Sequence, residues 1–150
     1  MKKIKKAIII HGPGRSGTTL LSDILSLHQD MFWISGYVNK FPGYPVLSLF
    51  NNLQSIKRFE RLTRGKKKIQ RPSEDYGFWN HHFKNFNKEK GVFDFDEVNN
   101  VLKAILKINR YTSGHRFITK ITGLSRYEYI DALFEDPYII WIDRKPQSVV

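Results

Sequence analysis

The sequence predicts one α/β domain: a parallel sheet with helices on its flanks. Two observations carry that expectation. Apolar strands recur at Ile4 to Ile10, Arg116 to Thr119 and Tyr138 to Ile142, without the polar alternation of a sheet that has one wet face, as expected of strands buried on both sides. Helical patterns lie between them, so parallel neighbours joined by right-handed crossovers follow. A length of 150 residues suits a single core spanning 1–150. The composition, 41% hydrophobic and 26% charged, is that of a folded globule and excludes disordered, collagen-like and coiled-coil chains.

The elements follow in order. The strand from Ile4 to Ile10 ends in a glycine-rich turn, Gly12 to Gly17. Thr18 to Leu27 then places Leu20, Leu21, Ile24, Leu25 and Leu27 at the spacing of a buried helical stripe. Met31 to Pro45, with Pro42, Gly43 and Pro45 near its end, is punctuated like a loop. Val46 to Leu62 is readable as a helix, and Arg71 to Trp79 as a turn leading into an aromatic segment whose Trp79, Phe83 and Phe86 belong to the core. Asp94 with Glu97 forms a capping box ahead of Val98, Val101, Leu102, Ile105 and Ile108, which predicts a helix over about 95–111. Ser125 with Glu128 is a second capping box, opening a short helix from Tyr127 to Phe134.

Charge narrows the function. Lys and Arg number 25 against 14 Asp and Glu, a net charge of +11, and the resulting positive field favours an anionic partner. Much of it sits in the run 57–71, expected to be a solvated face that could steer an acidic acceptor. There is no cysteine, which excludes disulfides, thiolate metal sites and cysteine nucleophiles. The apolar run behind Lys2-Lys3-Ile4-Lys5-Lys6 is too short for a signal peptide, and no stretch approaches the roughly 20 apolar residues of a membrane span. A cytoplasmic protein is expected.

Gly12-Pro13-Gly14-Arg15-Ser16-Gly17-Thr18-Thr19, set between a buried strand and a helix, aims backbone N–H groups and a helix N-terminus at one point. That geometry binds phosphate or sulfate. The spacing follows the nucleoside-triphosphate loop, G-x-x-x-x-G-K-S/T, except that Thr18 replaces the lysine. The basic residue is instead Arg15, inside the loop. Lys120 and Arg144 each follow a predicted strand, and ligands of open parallel sheets bind beyond the carboxyl ends of the strands. Arg15, Lys120 and Arg144 are therefore expected to line one positive crevice suited to a ligand with separated negative groups.

These residues resemble a known family. Gly14-Arg15-Ser16-Gly17-Thr18-Thr19-Leu20-Leu21 is similar to the phosphosulfate loop of sulfotransferases that use 3′-phosphoadenylyl sulfate, with Gly14 in place of the family's proline. Ile139 to Pro146 looks like the second signature, an apolar strand followed by R-D-P, with Lys145 for the Asp; Thr119-Lys120-Ile121-Thr122 resembles the K-T-P segment ahead of it. The resemblance implies a P-loop-like three-layer fold in which Gly14, Arg15, Ser16, Gly17, Thr18 and Thr19 hold the 5′-phosphosulfate of this co-substrate. It further implies that Arg144 binds the 3′-phosphate and that Arg15 and Lys120 stabilise the leaving group, without a metal. The family's partner serine would fall at position 152, past Val150, so the resemblance implies an incomplete, N-terminal portion of a sulfotransferase domain.

The acceptor, a hydroxyl or amine and first of all an acidic glycan, needs a base, and Glu74 is chosen over Asp75, His81 and His82. A metal at His81-His82 is not expected, because no third ligand is suitably spaced. Two other readings stay open. A P-loop kinase or NTPase would use Asp143 as its metal-binding carboxylate, and a polyanion or nucleic-acid binder would use the basic run alone, with no specific nucleic acid expected.

Overall fold

A computed structural model describes residues 2–55, 74–88, 92–123 and 126–143. The basic run 57–71, Ser125, Arg144 and Lys145 lie outside the described residues. The chain order is β1 (Ile4–Lys5), β2 (Ile8–Gly12), α1 (Thr18–Ser26), β3 (Met31–Phe32), α2 (Gly36–Lys40), a 3₁₀ segment Pro45–Ser55, α3 (Tyr76–His82), α4 (Phe95–Arg110), β4 (Arg116–Thr122), α5 (Tyr127–Leu133), β5 (Phe134–Glu135) and β6 (Tyr138–Trp141). The main sheet runs β3-β4-β2-β6 with every described pairing parallel, and β1 pairs with β5 in a separate ladder. The α/β class expected from the apolar strands holds.

β2 is central. Ala7 and Ile9 enter one core, Ile8 and Ile10 the other, as the alternation of a strand requires. The expected single strand from Ile4 is broken at Lys6, which takes left-handed backbone with φ 51. Lys5 and Lys6 carry charges that a doubly covered strand cannot bury, so the chain turns there before entering the sheet.

One core packs under α3, α4 and α5. Trp79, Phe83 and Phe86 are buried in it as expected, with Phe83 and Phe86 set edge-on against Tyr129 at 4.8 and 5.2 Å between ring centres. α4 follows its predicted bounds, and its capping box is complete: Glu97 N–H donates to Asp94 Oδ1 at 2.7 Å, and Asp94 N–H to Glu97 Oε2 at 3.2 Å.

The second core lies under α1, where the buried residues of the helix are Thr18, Ser22 and Ser26. Leu21 and Leu25 pack at its margin, while Leu20, Ile24 and Leu27 are exposed. The expected leucine stripe is thus displaced, because small side chains let the helix lie close to the sheet and turn its leucines aside; Ser26 Oγ donates back to Ser22 O at 2.6 Å. Met31 to Pro45, expected as a loop, holds β3 and α2, the latter capped by Ser35. The helix expected from Val46 is a 3₁₀ segment as far as Ser55, its remainder lying outside the described residues. β4 continues three residues past the predicted Thr119, α5 stops one residue before Phe134, and β6 stops one before Ile142.

Candidate functional site

The loop between β2 and α1 sits at the carboxyl end of the central strand. Two glycines fix its path for different reasons. A Cβ on Gly12 would lie 2.7 Å from the Ile142 carbonyl and 3.1 Å from Ser16 Oγ, so the chain leaving β6 closes over this position. Gly17 has φ 99, in the left-handed region that favours glycine. Arg15, exposed on the loop, is also left-handed at φ 61, a conformation that costs an ordinary side chain about 1 kcal/mol.

α1 begins without a side-chain cap, and its N-cap residue is Gly17. Its first N–H groups and the positive end of its dipole therefore face the loop. Ser16 Oγ is buried and has no hydrogen-bond partner among the described residues. A buried hydroxyl beside an uncapped helix start fits an anion accepting hydrogen bonds from both. Thr18, where triphosphate loops carry lysine, is 4% exposed, with its methyl turned toward Gly12.

Lys120 reaches the loop from inside β4, opposite Ile10, not from beyond the strand end as expected. Its side chain is 4% exposed, and its ammonium donates to Thr19 Oγ1 at 2.9 Å and pairs with Glu74 Oε1 at 3.2 Å. A buried ammonium requires such partners. The structure thus brings Lys120, Thr19 and Glu74 together at the end of the loop, although Glu74 is remote in sequence. Asp75 turns the other way and accepts from Thr119 Oγ1 at 3.0 Å. Tyr76 then donates to the Thr122 carbonyl at 2.6 Å, and the Arg126 guanidinium donates to the same carbonyl at 3.1 Å while lying over the Phe86 ring.

His11, the last side chain of β2 before Gly12, meets the Ile121 carbonyl through Nδ1 at 2.5 Å and packs on Trp141. Sequence reasoning gave no role to His11, Thr119, Tyr76 or Arg126. A polar residue ending a buried strand was the available signal for His11; the others depend on contacts between segments about forty residues apart. His81 and His82 lie together at the end of α3 with the His82 ring edge-on to Phe78, and burial with His81 alongside lowers the His82 pKa to about 4. Arg144, expected at the same crevice, lies outside the described residues. β6 does run beside β2, and Ile142 N–H donates to the His11 carbonyl at 2.9 Å.

Comparison with known proteins gives two findings. Residues 7–150 match the model of a family described as the sulfotransferase family. Among solved structures, the chain is similar to sulfotransferase STF9 from Mycobacterium avium, with a TM-score of 0.56, 17% identity, and coverage of 97% of this chain. The chain spans 44% of the length of that structure. A search of curated proteins by sequence finds no match.

Proposed function

The chain belongs to the sulfotransferase family, and on that premise we propose that it binds 3′-phosphoadenylyl sulfate and passes the sulfuryl group to a hydroxyl or amine, first of all on an acidic glycan. The observation that carries the reading is the meeting of Lys120 with Thr19 and Glu74 at the end of an uncapped, glycine-turned helix start. Ser16 Oγ, the N–H groups of α1 and the Thr18 and Thr19 hydroxyls would hold the phosphosulfate. The bound nucleotide supplies an activated sulfuryl group.

In an in-line transfer the bond from sulfur to the acceptor oxygen or nitrogen forms as that to the bridging oxygen breaks. The leaving phosphate takes up the electron pair. Lys120 and Arg15 stabilise that charge as fixed cations in the place a divalent ion takes in triphosphate sites. Glu74, half exposed beside Lys120, accepts the acceptor proton. Arg144, two residues past the Ile142 that covers Gly12, would meet the 3′-phosphate.

Calorimetry with 3′-phosphoadenosine 5′-phosphate tests this directly. Binding is expected to persist in EDTA, to exceed binding of ATP with Mg²⁺, and to weaken when the 3′-phosphate is removed. Preference for ATP with Mg²⁺ would establish the kinase reading instead.

A further inference from the structure

Asp75 occupies the N-cap of α3, where an aspartate ordinarily accepts from the N–H groups of its own helix. Its side chain makes no such bond. Its backbone is also left-handed, with φ 57 and ψ 11, a strained choice for a residue that is not glycine. Asp75, 2% exposed, instead accepts from Thr119 Oγ1 at 3.0 Å, where Thr119 is equally buried.

Thr119 is the neighbour of Lys120 in β4, and consecutive strand residues point to opposite faces. Glu74 and Asp75 are likewise consecutive. Two adjacent residues therefore grip two adjacent strand residues from both sides, Glu74 to Lys120 on the α1 face and Asp75 to Thr119 on the face of α3 and α4. Glu74 is half exposed at its end of the ion pair, whereas Asp75 beside it is buried. The buried side of the grip supplies the fixed point.

From this geometry we infer that Asp75 is a positioning residue: its bond to Thr119 sets Glu74 against Lys120 at the loop. The inference rests on the roles given above to Glu74 and Lys120. It adds a residue that touches neither donor nor acceptor and acts through its neighbour.

Asp75→Gly and Asp75→Asn separate this from a merely structural role. Glycine accepts φ 57 without strain, so the fold is kept while the carboxylate is lost; asparagine tolerates the same backbone and keeps an acceptor oxygen. Two readouts apply, acylation of Lys120 followed by mass spectrometry and the separate values of kcat and donor KM. In Asp75→Gly, Lys120 is expected to react about tenfold faster and kcat to fall about tenfold, with donor KM unchanged and the unfolding midpoint not lowered. Asp75→Asn should behave as the unmutated protein does. If Asp75→Gly leaves Lys120 labelling as slow as before, the inference is overturned. Loss of 3′-phosphoadenosine 5′-phosphate binding in the unmutated protein would strike the sulfotransferase reading, while the labelling would still decide the grip.

Discussion

The two faces of the sheet are built differently. Under α3, α4 and α5 lies a thick aromatic core, with Phe78, Trp79, Phe83, Phe86, Phe117 and Tyr129 all nearly inaccessible. Under α1 the buried apolar side chains are Ile8, Ile10 and Ile118, and the buried residues of the helix are serine and threonine, with Leu21 and Leu25 at the margin. The thick face carries stability through apolar area. The thin face carries position, since a helix that lies close to the sheet delivers its N-terminus to the loop.

That division can be broken by experiment. The largest effect on stability is expected on the aromatic side: Phe83→Ala should cost about 3–5 kcal/mol in denaturant unfolding, with binding of 3′-phosphoadenosine 5′-phosphate by the folded fraction unchanged. A matching loss of affinity would show that the two faces are coupled. Lys120→Ala should do the reverse, lowering kcat about a hundredfold to a thousandfold, as removal of a preorganised charge does, while the unfolding midpoint moves by only a few degrees. Ser22→Leu should cost about 1–3 kcal/mol by forcing α1 off the sheet, and should weaken nucleotide binding besides, because the helix start moves with the helix.

A further test concerns pH. Burial lowers the His82 pKa from 6.5 to about 4, so the unfolded chain takes up this proton more readily than the folded one. The contribution to stability is therefore whole above pH 6.5 and is lost as pH falls from 6.5 toward 4. His82→Gln should flatten the stability profile across that window, and the loop should not respond.

Legibility in sequence followed the range of the interactions. α4 could be read almost to the residue, because a capping box and a helical period are local signals. The loop was equally plain, since glycine, hydroxyl and basic residues are adjacent there. α1 was placed correctly yet turned wrongly. Leucine at helical spacing looks buried, whereas close approach to a sheet selects serine, and the pattern cannot say which demand prevails. The break at Lys6 had a local signal in the charges of Lys5 and Lys6, but the pairing of β1 with the distant β5 did not. Glu74 was chosen by its neighbourhood in sequence, and its approach to Lys120 became visible only in three dimensions. Asp75 was set aside as a base, and its bond to Thr119 spans 44 positions that only the fold closes.

The place of β2 in the sheet has a kinetic consequence. Its partners β4 and β6 come more than a hundred residues after it: His11 meets Ile121 across 110 positions. Closing so long a loop must precede any gain from pairing, and chains dominated by such distant contacts fold in about milliseconds to seconds, not microseconds. Until then Ile8, Ile9 and Ile10 have no neighbouring strand, and an unpaired apolar strand is a starting point for aggregation. The charged residues Lys2, Lys3, Lys5 and Lys6 immediately before it are of the kind that guards such strands, so replacing them with neutral residues should lower the yield of refolding at high protein concentration more than it lowers the stability of the folded state.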